Sequence, residues 1–164
     1  MRMLLLALAA GVALCARAAD IEVVAGLAAD WAETQARGSL AQGTPLTPAQ
    51  AALAREVGVR DPSRVRIHQV ETLPEPRDPL LTAAAGRIGL MPQAADGMTL
   101  GYAVLIKRGA GNDTQLLRHE LRHVAQYERE GGIRPFLARH IPDLMRHGYR
   151  DSPFERDARA HEGN

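Results

Sequence analysis

One cysteine, Cys15, stands in the 164 residues, and it lies at the end of the first apolar run. The rest of the chain therefore has neither a disulfide nor a thiol nucleophile, and a packed core, with or without a metal, has to supply its stability. Lysine is nearly missing as well. Lys107 stands alone among basic residues that are otherwise arginine, which reads as a bias of genomic base composition rather than a functional arginine patch. An excess of one charge is also lacking: after the first 18 residues, 18 basic groups face 19 acidic ones. That balance is unlike a dedicated nucleic-acid binder, so no nucleic-acid partner is expected. Beyond the N-terminal stretch no apolar run is long enough to span a membrane. There is no internal repeat and no low-complexity tract.

What is present begins with a processing signal. Arg2 precedes the run Leu4-Leu5-Leu6-Ala7-Leu8-Ala9-Ala10-Gly11-Val12-Ala13-Leu14, and Ala16 and Ala18 form an Ala-x-Ala site. These features predict a signal peptide over 1–18, a single domain over 19–164, and a periplasmic or secreted protein. Cys15 admits a lipoprotein reading, but Leu14 before it is bulkier than such a processing site usually takes.

The periodicity predicts a small helix-rich α+β domain. Val24, Leu27, Ala28, Trp31 and Ala32 fall at helical spacing over 21–36, and a breaker-rich loop is expected over 38–48. Thr47-Pro48-Ala49-Gln50 starts a second helix that stops at Gly58. Val65-Arg66-Ile67-His68-Gln69-Val70 alternates as a half-buried strand, ended by Pro74, Pro76 and Pro79. The aliphatic stretch 97–107 reads as another strand, with a shorter one over 87–91 to pair with it. Asp113 or Thr114 caps the next helix, whose Leu117, Leu121 and Val124 form an apolar stripe. Gly131-Gly132 ends it, a helix from about Arg134 follows with Pro142 inside it, and Ser152-Pro153 opens a last short helix.

The capped helix carries His119-Glu120-Leu121-Arg122-His123, an HExxH motif. On a helix that spacing puts two imidazoles on one face with a carboxylate beside them, the arrangement of a zinc hydrolase. A catalytic zinc needs three protein ligands and an open position. The pattern HExxHxxGxxH would require Gly at 126 and His at 129, where the chain has Gln126 and Arg129, so a metzincin is excluded. Glu155, separated from His123 by thirty-one residues, is the best third ligand; the competing reading is that it completes a Ser-x-x-Glu capping box with Ser152. Asp143, His140 and His147 are the other candidates. His68 and His161 have no spacing relation to the motif. Glu120 is placed to act as general base, and Tyr149 to offer a phenol to a developing oxyanion or simply to pack. The strand through Val104-Leu105-Ile106 would either bury in the core or offer an edge to an extended peptide.

With Glu155-Arg156-Asp157-Ala158 as an ExxA setting, the chain resembles the gluzincins among the zincins. The stretch Gly97-Met98-Thr99-Leu100-Gly101, its aliphatic strand, and Leu116 to Gln126 resemble the small bacterial zincin-like domain attached to cargo of extracellular contractile injection systems. This resemblance implies a peptidase-type fold, Zn2+ as cofactor, and a peptide or protein substrate, with a protein partner. Two features depart from the gluzincin pattern. Arg159 occupies the place where many gluzincins carry an acid that orients a motif histidine, and the domain is short for a deep cleft. The leading expectation is a zinc metallopeptidase using His119, His123, Glu155 and Glu120. The alternative is a non-catalytic metal-binding interaction module, and a third reading treats the motif as an accident on a solvated helix face.

Overall fold

The computed structural model describes residues 2–89 and 94–163, with side chains from Asp20 onward. Helix α1 (Arg2–Gln42) runs unbroken through residues 16–18 and through Gly38. The loop expected over 38–48 thus shrinks to a short link carrying strand β1 (Thr44–Pro45). Gly38 has open space around it, so it costs the helix only its propensity, about 1 kcal/mol. Buried Ala36 and Ser39 on either side keep the helix on the core.

Helix α2 (Pro48–Glu56) starts at the expected capping box, with Thr47 and Gln50 exchanging hydrogen bonds. A 3-10 turn (Pro62–Arg64) leads into β2 (Arg66–Val70). The strand expected over 87–91 is overturned: Arg87 and Ile88 lie in helix α3 (Pro79–Ile88), and residues 90–91 fall outside the described ones. The reason is local, because Asp78 accepts hydrogen bonds from the N–H groups of Leu80 and Leu81 and Pro79 occupies the first turn. The single strand expected over 97–107 is instead a hairpin, β3 (Gly97–Leu100) and β4 (Ala103–Lys107), turning at Gly101 with φ of +65°.

The sheet has the order β1-β2-β4-β3, with β2 parallel to β4 and both other pairs antiparallel. Strand β4 is therefore central and offers no edge to a peptide. Its four residues Ala103 to Ile106 are all at most 2% exposed, the mark of a strand covered on both faces. Ala103 and Leu105 join the core made by α1, α3 and the fifth helix, α5 (Ile133–His147), whereas Val104 and Ile106 join the one made by α2 and the motif helix, α4 (Thr114–Glu130). Leu117, Leu121 and Val124 dock α4 on that second core as the stripe predicted. Gly131 ends α4 in the left-handed conformation, and α6 (Pro153–Arg159) follows α5. No helix among the described residues is long and apolar enough to cross a membrane.

Candidate metal centre

His119 and His123 of α4 turn away from its apolar stripe toward α6. The Nε2 atoms of His119 and His123 lie 3.1 Å apart. Glu155 from α6 brings Oε2 to 3.5 Å from the first and Oε1 to 3.4 Å from the second. All three ligand atoms fall within 4.8 Å of one another, so the group could hold a metal ion. Ser152 Oγ does accept the Glu155 N–H, at 3.3 Å, so Ser152 caps α6; the Glu155 carboxylate turns to the histidines rather than back to the cap. Among the described residues Asp143, His140 and His147 are not in the cluster. Asp143 faces Arg146, His147 is exposed, and His140 is buried between Phe136 and Phe154.

The hydrogen bonds behind the cluster fix the histidine tautomers. His119 Nδ1 lies 2.9 Å from the Glu162 carboxylate, which accepts only, so Nδ1–H is the donor. His123 Nδ1 lies 2.8 Å from Gln126 Oε1. The orientation of that amide is set by its NH2, which donates to the Phe154 carbonyl at 2.9 Å and to Asp157 at 2.7 Å, leaving Oε1 to accept from His123. Arg122 in turn grips Asp157 with two bonds, of 2.8 and 3.0 Å. With both Nδ1 atoms committed as donors, the two Nε2 atoms and the Glu155 carboxylate face one another around a shared position. Glu155 Oε2 is buried, and only the long approaches of His119 Nε2, at 3.5 Å, and Arg159 Nη1, at 3.8 Å, answer its charge. Such an array could hold a cation, and nitrogen and oxygen donors of this kind suit a divalent metal.

The protonation states fit the same reading. Burial pulls His119 down, but Glu155, Glu120 and Glu162 outweigh it and push it up to about 9 in the metal-free protein. Burial pushes the Glu155 carboxyl up, yet hydrogen bonding from His119 and the nearby histidines hold it below the usual range. Glu120 is 4% exposed, and burial raises it against the pull of His123, His119 and Thr99. Thr99 Oγ1 donates to Glu120 Oε2 at 2.6 Å, and Gly97 lies so close that a Cβ there would sit 2.6 Å from Glu120 Oε1. Tyr149 adjoins Glu155, and burial raises its phenol.

Sequence reasoning missed Gln126, Glu162 and Thr99. Gln126 served only to exclude another motif, although its place three residues after His123 puts both on one helix face. Asp157, two residues before Arg159, supports His123 through Gln126. Arg159 Nη1 lies 3.8 Å from Glu155 Oε2, a cation where an acid was sought. His161 bonds the Asp157 carbonyl, and His68 lies on β2, apart from the cluster as its spacing implied.

Residues 45–131 match the eCIS core domain, the module of extracellular contractile injection systems. No curated protein and no solved structure matches the chain significantly. The matched segment spans more than half of the chain, from β1 through the end of α4, and stops short of Glu155 and Glu162. On that match, the chain belongs to the eCIS core domain family.

Proposed function

We propose that the protein is a zinc-dependent peptidase of the periplasm or exterior, with His119, His123 and Glu155 holding Zn2+ and Glu120 as general base. The observation that carries this reading is the convergence of one ligand atom each from His119, His123 and Glu155, all within 4.8 Å of one another, beside a buried glutamate. When bound, zinc supplies Lewis acidity and makes water easier to deprotonate near neutral pH. Glu120 takes the proton of the attacking water and hands it to the leaving amine. Its raised proton affinity suits both transfers. Thr99 holds that carboxylate in place, and Gly97 gives it room. Tyr149 stands beside Glu155 as a donor to the developing oxyanion.

Strand β3 supports binding of an extended peptide. It is a sheet edge, and the Lys107 N–H bond to the Asp96 carbonyl sets its alternation, so the backbone groups of Gly97 and Thr99 point away from β4. Tyr127 already caps the Thr99 carbonyl at 3.2 Å. The competing reading is a metal-holding interaction module. Arg159, which weakens Glu155 as a ligand, and a family whose setting implies protein partners favour it.

Elemental mass spectrometry of the purified protein beside Glu155→Ala tests the metal. One zinc per chain, lost in the variant, is expected; no metal in a folded parent offered zinc would remove the reading. Glu120→Gln then separates enzyme from module. It should keep zinc and lose peptide hydrolysis by a factor of about 10²–10⁴, whereas a parent inactive on broad peptide mixtures supports the module.

A further inference from the structure

The two histidines of the cluster are backed in different ways. Gln126, behind His123, is itself fully buried and is held by Asp157 and the Phe154 carbonyl. Glu162, behind His119, has a side chain that is 33% exposed and stands on a turn after α6, residues 160–163, rather than on a helix. Something has to hold that turn if Glu162 is to hold a ring. Its inner side is closed by His161, whose Nδ1 bonds the Asp157 carbonyl at 2.7 Å. Its outer side is gripped by Arg118, the residue before His119. Arg118 Nε donates to the His161 carbonyl at 2.9 Å, and Gly163, with φ of +80°, lies so near that a Cβ there would sit 3.4 Å from that nitrogen. The same guanidinium donates through Nη1 to Glu56 at the end of α2, also at 2.9 Å. One arginine thus joins α2 to the backing of His119. Glu56 and Arg118 lie inside the segment matched to the family, and the turn lies outside it.

We propose that residues 160–163 are a strap on the metal centre, and that Arg118, latched to Glu56, is a positioning residue that sets how firmly His119 holds a divalent ion. The action runs from Glu56 to Arg118, to the His161 carbonyl, to the Glu162 carboxylate and so to His119 Nδ1. A guanidinium already held by one arm loses less freedom when its other arm binds the carbonyl. The Glu56 end of the latch is 62% exposed, so the grip on the ring is adjustable from the surface without touching a ligand. The effect on metal affinity rests on the function proposed above; the strap itself does not.

Nitrogen-15 spectra of the imidazole N–H groups, recorded on the metal-free and the zinc-loaded protein, test the strap without any hydrolysis. The Nδ1–H protons of His119 and His123 should both exchange slowly with water in the parent, because each meets an acceptor. Arg118→Ala leaves Glu162 in the chain, yet it should speed exchange of the His119 proton at least tenfold and leave that of His123 unchanged. By competition with a zinc-sensing dye, affinity should fall about 10–100-fold, as in Glu162→Ala. The double variant should bind no more weakly than Glu162→Ala alone, because both changes act through one contact. Glu56→Gln, a surface change, should move both readouts in the same direction, which keeps the test decisive if Arg118→Ala does not fold. An unchanged His119 proton in Glu56→Gln or in a folded Arg118→Ala, an equal loss at His123, or additive losses in the double variant would overturn the strap. A parent that binds no zinc, while Arg118→Ala still frees the His119 proton, would refute the metal reading alone. Zinc bound equally well by parent and variants would refute the control of affinity alone.

Discussion

Stripping the metal should invert the way this protein's stability depends on pH. In the metal-free fold His119 is held up to about 9, against 6.5 for the free side chain. Between those values the folded protein keeps a proton that the unfolded chain has lost, so unfolding releases it. The contribution is complete below 6.5 and disappears as pH climbs through 9. At about 1.4 kcal/mol per pKa unit it amounts to roughly 3 kcal/mol. The side chain is 12% exposed, so solvent screening does little to reduce it. Glu120, raised by burial, slopes in the same direction, while His140, driven down to about 4 by burial, titrates below the window. A bound divalent ion takes the proton's place on His119, so zinc affinity and the stability it confers should grow with pH over the same range. Urea unfolding followed by far-ultraviolet circular dichroism at pH 6.5, 7.5 and 9, with chelator and then with zinc, reads both slopes. His119→Gln should flatten the metal-free slope. Metal-free stability that is level or rises from pH 6.5 to 9 would refute the reasoning.

Three further outcomes follow from the hydrogen bonds. Gln126→Leu strips His123 of its orienting acceptor and leaves Asp157 and the Phe154 carbonyl short of a donor; competition with a zinc-sensing dye should show affinity lower by about 10–100-fold. Thr99→Val removes the donor to a buried carboxylate at little change of volume, and should cost about 1–3 kcal/mol in urea unfolding. Because that bond lowers Glu120, the acid limb of any activity profile should also move to higher pH. Gly97→Ala puts a methyl group where the Glu120 carboxylate now sits, so hydrolysis should fall at least tenfold while the zinc content stays at one per chain.

The parts of this protein that follow from local chemistry were legible in its sequence. The stripe of Leu117, Leu121 and Val124 docks α4 as its spacing required, and the histidines four residues apart meet. Glu155 was found by the chemistry of a missing ligand. The acceptor behind His119 was not, because Glu162 reaches it from 43 residues away and nothing in spacing marks that pairing. The error at residues 87–91 is different in kind. Asp78-Pro79 is the same cap-and-proline signature that locates α2 and α6, but beside Pro74 and Pro76 the proline reads equally as the end of a strand, and only the fold makes it the first turn of α3. The unified strand over 97–107 failed because aliphatic density says nothing about a reversal, whereas Gly101 followed by Tyr102 marks one.

The joining of α4 to α6 through the cluster bears on how the chain is fastened together. Without a cysteine beyond Cys15, nothing covalent pins α5 and its flanking turns to the rest. An ion shared by His119, His123 and Glu155, under the proposed function, would clasp the two ends of that segment together in the folded protein. Unlike a disulfide, such a clasp would act on the folded state alone, stabilising it in proportion to the logarithm of the free metal concentration over its dissociation constant. A chelator should therefore loosen α5 and α6 first and leave the sheet with α4 standing.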